Sequence, residues 1–145
     1  MSELAILYTL TASRHDALIL ARTLIVERLA ACANLLDGVT SVYHWDGCVC
    51  ESGEVLLLLK TRAELVEQAM HRIRSLHPYD CPCILSLAPT SVFPDYLQWA
   101  NRETSAAIVQ ICAPSEVHSP GFPETNFPNV RSADPMSPDP ATGDA

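Results

Sequence analysis

Two pairs of cysteines in this chain, Cys48-Val49-Cys50 and Cys81-Pro82-Cys83, place thiols two residues apart. In an extended segment that spacing puts both sulfurs on one side of the backbone. Thiolates are soft ligands that favour copper(I) or zinc. His77 lies just before the second pair and offers an imidazole nitrogen to the same ions. His77, Cys81 and Cys83 are therefore a candidate ligand set for copper or another divalent metal ion. Neither cysteine pair has zinc-finger spacing, and the bland alternative is that the thiols are buried or unligated packing groups. His77, for its part, could be a helix-terminal histidine bonding free carbonyls.

Lys60 carries a second kind of chemistry. It is a lone ammonium following a run of leucines, and burial in an oligomer would require an acid or an anionic ligand beside it. If it is not buried, its stem can lie along the apolar surface with the charge in water. Cys32 with His77 could in principle form a nucleophile and base, but no third orienting group accompanies them. The chain has no Gly-rich phosphate loop, no H-E-x-x-H helix and no G-x-S-x-G elbow. The expectation is a protein that is not an enzyme.

These residues need elements to position them. Leu4 to Leu10 is a short apolar run of the kind that forms a buried strand. Ser13, with Asp16 three residues on, predicts a helix start, and the apolar stripe of Ala17, Ala21, Leu24 and Leu29 carries that helix to Leu29. From Ala31 the period changes to two, with Val39, Ser41, Tyr43 and Trp45 on one face of a strand. Asp46-Gly47 supplies a turn, and the return strand ends in Val55-Leu56-Leu57-Leu58-Leu59, apolar on both faces. Thr61-Arg62-Ala63-Glu64 has the form of a capping box opening a second helix, which His77-Pro78 ends. Cys83 to Leu87 reads as a fourth strand, and Pro94 opens a third helix carrying Tyr96, Leu97 and Trp99. The order is that of an α+β, ferredoxin-like βαββαβ sandwich with a long hairpin between its second and third strands and a C-terminal helix.

Composition narrows the partners. A formal charge of −8 with only nine Lys and Arg argues against nucleic acid and anionic membranes, which need clustered positive charge. The first residues lack the basic and apolar regions of a signal peptide, so the expected location is cytoplasmic, where the six cysteines stay reduced. Seven of the eleven prolines lie between Pro114 and Pro140. This divides the chain into a folded domain over 1–112 and a Pro-rich, acidic, disordered tail over 113–145. In the folded part, a βαββαβ unit covers one face of its sheet with helices and leaves the other open. The double-sided leucine run makes that open face apolar, and a second copy of the chain is its simplest cover.

The segment from Cys32 through Asn34, Gly38, Ser41 and Tyr43 to Trp45 resembles the signature of the CutA family. Lys60-Thr61, His77-Pro78-Tyr79 with Pro82, and Tyr96-Leu97-Gln98-Trp99 follow at similar spacing, so the resemblance covers about the first 105 residues. It implies a ferredoxin-like subunit in a tight homotrimer, tied to divalent-cation tolerance and response to metal ions, including copper binding. It also implies a shape similar to PII-type signalling trimers, whose intersubunit clefts could hold a small anionic effector. Cys32, Asn34, Tyr43, Trp45, Lys60 and Tyr79 are the effector-cleft residues on that reading. In copper-binding members a cysteine late in the first strand and a histidine just before position 77 complete the ligand set. Here Leu10 and Leu76 stand at those positions.

Overall fold

The computed structural model describes residues 3–105; the boundary at 112 and the tail over 113–145 lie outside the described residues. The elements run β1 (Leu4–Thr11), α1 (Arg14–Val26), β2 (Cys32–Trp45), β3 (Cys48–Arg62), α2 (Val66–Leu76), β4 (Ile84–Leu87) and α3 (Pro94–Glu103). All three strand pairings are antiparallel, in the order β2-β3-β1-β4. This is the α+β, ferredoxin-like arrangement that the element order predicted.

The alternation of the leucine run decides where the core lies. Val55, Leu57 and Leu59 point to one face and are buried, as is Leu7 opposite Leu59 on β1. Leu20 and Leu24 of α1 and Ala69 and Ile73 of α2 close over them. Burying each of the large aliphatic side chains contributes roughly 1.5–3 kcal/mol. Arg72 of α2 grips the carboxylate of Glu27, just past the end of α1, through Nε and Nη2 at 2.7–3.1 Å.

Ser13 caps α1 as its position suggests, accepting from the Asp16 amide at 3.1 Å. The helix stops at Val26, three residues short of Leu29, because Arg28 adopts a left-handed conformation with φ 57. The amides of Leu29 and Ala30 then turn back to the Leu24 carbonyl, satisfying a carbonyl that the helix would otherwise leave free. Leu29 still reaches the core. The hairpin turns at Asp46-Gly47, both with positive φ, as a two-residue turn matching the strand twist demands.

The capping box expected at Thr61-Glu64 does not form. Pairing with β1 continues through Ala5↔Thr61 and Leu4↔Arg62, so Thr61 is committed to the ladder with its side chain fully buried. A 3-10 turn over Ala63–Leu65, without a side-chain cap, leads into α2 instead. Glu64 pairs with Arg62.

The other face of the sheet is open. In register across the strands lie Leu36, Leu56 and Leu10, then Asn34, Leu58, Tyr8 and Leu85. Leu36 is 60% exposed and Leu85 39%. At one end, α3 approaches residues of this face, with Arg62 donating to Thr104 Oγ1 and its carbonyl. The hairpin beyond Val39 carries exposed Val42, Tyr43, Trp45 and Val49. So much apolar surface on one small subunit marks an interaction face.

Candidate metal and effector sites

The residues singled out from the sequence divide into two groups. Cys32, Asn34 and Lys60 meet at the start of β2, where Cys32 pairs with Lys60 across the ladder. Lys60 Nζ donates to Cys32 Sγ at 3.8 Å, and the thiol lies 4.0 Å from Asn34 Oδ1. No carboxylate pairs with Lys60 among the described residues. Tyr96 of α3 joins this group: burial, and then the Cys32 thiol beside it, pushes the phenol up to about 12. The sequence placed Tyr96 on a helix but did not connect it to Cys32, because only packing brings α3 over that end of the sheet.

Tyr43, Trp45 and Tyr79 belong to the second group, which lines a cavity of about 790 Å³ between the hairpin and the loop after α2. Tyr79 donates its hydroxyl to Glu54 at 2.9 Å. Burial first, and then the carboxylate's hydrogen bond, pushes this phenol up to about 12. Three thiols, Cys50, Cys81 and Cys83, line the same cavity together with Glu54, Asp80 and His44. No Lys or Arg is among its lining residues. Cys48, the partner of Cys50 in sequence, is exposed and is not in the lining. Cys50 and Glu54 line this cavity with Cys81 and Cys83, a proximity that sequence reasoning did not draw. Their position follows from the hairpin register, and the shared period of two along β3 is the signal that could have linked them.

His77 does not join Cys81 and Cys83. It is buried at the end of α2, where Nε2 lies 2.8 Å from the Leu10 carbonyl of β1 and Nδ1 accepts from the Tyr79 amide at 3.1 Å. These partners require the proton on Nε2 and leave no ring nitrogen free for a metal. The imidazole is a structural tie between β1 and the turn at Pro78. Its partner is a carbonyl, as the alternative reading had it, but one from β1 rather than from its own helix. Among the described residues, no three His, Cys, Asp or Glu side chains are already gathered as a metal centre.

The two raised phenols make a pH prediction. A group whose folded value lies above its ordinary value of 10.0 contributes stability that is fully present below pH 10 and is lost as pH rises towards 12. Resistance to urea unfolding should therefore fall across that window, and Tyr79→Phe with Tyr96→Phe should flatten the decline. An unchanged slope in the double variant would contradict these assignments.

Fold and cavity together define a small α+β subunit with an apolar open sheet face and a thiol-bearing, acidic cavity. The CutA1 divalent ion tolerance family matches residues 5–103, and the chain belongs to that family. It is 40% identical over 92 residues to the divalent-cation tolerance protein CutA of Thermus thermophilus, covering 63% of this chain and 89% of that one. Protein CutA of Mus musculus is 38% identical over 87 residues, 60% of this chain; the match spans about half, 49%, of that longer relative. The crystal structure of the divalent ion tolerance protein CutA1 from Ehrlichia chaffeensis superposes with a TM-score of 0.70 at 36% identity, over 73% of this chain and 99% of that one. The family is named for cation tolerance rather than for a reaction. No described helix is long and apolar enough to cross a membrane.

Proposed function

We infer that this chain works as a non-enzymatic, cytoplasmic homotrimer that binds a metal cation and contributes to cation tolerance. The observation that carries the reading is the cavity lining: acids and thiols converge there without a single Lys or Arg. Such a lining attracts cations and repels anions. Thiolates among the donors suit copper better than calcium or magnesium. The open sheet face supports the trimer, because Leu56, Leu58 and Tyr8 are only partly buried by their own subunit.

The Cys32–Lys60 group favours a second reading, a PII-like assembly that binds a small anionic effector. Lys60 has a thiol rather than a carboxylate as its partner, so an anion could supply the missing charge. Calorimetry and native mass spectrometry of the reduced protein separate the two. Stoichiometric copper or zinc on a trimer, indifferent to Lys60→Ala, is the expected result. Stabilisation by anionic metabolites, abolished in Lys60→Ala, with no metal bound would replace the first reading by the second.

A further inference from the structure

We propose that the hairpin cavity binds a small organic cation, a primary ammonium ion seated on Tyr43 and Trp45 with Glu54 as its counter-charge. The inference rests on the cation-attracting lining described above but requires no metal. One wall of the site is built by strand register. β2 and β3 pair Val39↔Glu54, Ser41↔Ser52, Tyr43↔Cys50 and Trp45↔Cys48, and directly opposed residues share a face, so Tyr43, Trp45, Ser52 and Glu54 stand on one side of the hairpin. Ser52 Oγ donates to the Tyr43 hydroxyl at 3.3 Å. That bond runs diagonally, because Tyr43 is opposite Cys50 and Ser52 is the next same-face residue towards Glu54, so it draws the Tyr43 ring along the strands towards the carboxylate. Ser52 and Glu54 are one same-face step apart, about 7 Å. Tyr79 reaches the same carboxylate from the loop after α2, donating to Glu54 Oε2 at 2.9 Å.

These groups select an organic ammonium over other cations. Tyr43 is 41% exposed and Trp45 53%, and aromatic ring faces attract a cation placed over them. A bare metal ion makes no use of ring faces. No Lys or Arg lines the cavity to repel a positive guest. Because Tyr79 occupies Glu54 Oε2, the paired donors of a guanidinium would lose half of their bidentate partner. An ammonium needs only Oε1, and its other rotatable donors can reach Ser52 Oγ, whose own proton is directed to Tyr43. Leu10 and Pro78 in the lining offer apolar surface to an alkyl chain. The cavity of about 790 Å³ has the size of a small-molecule site.

The test is calorimetric titration of the reduced, chelator-treated full chain with putrescine at low ionic strength, beside butanediol, which has the same chain without the charge. One amine per chain is expected, with no binding of the diol. Glu54→Gln, which keeps an acceptor for Tyr79, should weaken amine binding roughly 10–100-fold, and Trp45→Leu roughly 2–5-fold. Circular dichroism of each variant confirms that the fold survives. Diol binding as tight as amine binding, or amine binding undiminished in both variants, would overturn the site. A lysine-containing peptide that binds more tightly than putrescine would overturn the small-molecule guest in favour of a protein partner. Failure of putrescine to bind a chain that still takes up copper or zinc would overturn the inference and leave the metal reading intact. Failure of amine and metals alike would remove the cation-attracting cavity on which both rest.

Discussion

Replacing His77 by alanine is expected to cost roughly 2–4 kcal/mol of stability while leaving soft-metal binding unchanged. The imidazole is 6% exposed and joins the Leu10 carbonyl to the Tyr79 amide. Removing it strands a partly buried acceptor and a partly buried donor, each costing about 1–3 kcal/mol, and opens a void beside the ring of Tyr79, whose centroid lies 4.8 Å away. The Tyr79–Glu54 bond should loosen with it, because the turn at Pro78 loses its tie to β1. Urea unfolding at fixed protein concentration measures the loss, since assembly contributes to apparent stability. A variant as stable as the unaltered protein would remove the structural role assigned here. A variant that folds but no longer binds copper(I) would return His77 to the ligand set.

Leu58→Glu should abolish assembly without unfolding the subunit. Leu58 lies between Asn34 and Tyr8 in the central row of the open face and is half-buried in the subunit. In a trimer that covers this face, the substitution forfeits roughly 1.5–3 kcal/mol of apolar burial per chain. It also buries an unpaired carboxylate, a larger penalty that the monomer avoids by leaving the charge in water. The neighbouring Leu57 points into the core, so the two faces can be tested separately along one strand. Light scattering should show a folded monomer for Leu58→Glu and a trimer for the unaltered chain. A trimer in both would place the interface elsewhere, and a monomer in both would remove the assembly from the proposed function.

Much of the fold was legible because it depends on local pattern. The strand through the apolar run Val55–Leu59, the Ser13 cap, the Asp46-Gly47 turn and Pro94 at a helix start are each decided by neighbours in sequence. Thr61 shows where local pattern fails. Its spacing to Glu64 fits a capping box, but eight residues of β1 pair with β3 through Arg62, and the ladder's hydrogen bonds outweigh one cap.

The candidate sites divide in the same way. Residue types alone established that thiols, a lone Lys60 and a histidine before proline were available, and the acidic balance already disfavoured polyanionic partners. Which of them meet was decided by tertiary structure. The hairpin register carries Cys50 to the loop holding Cys81 and Cys83, α3 delivers Tyr96 to Cys32, and the carbonyl of Leu10, sixty-seven residues away in sequence, claims the nitrogen of His77. A side chain's chemistry is written in its residue type, but its free valences depend on what folding places beside it.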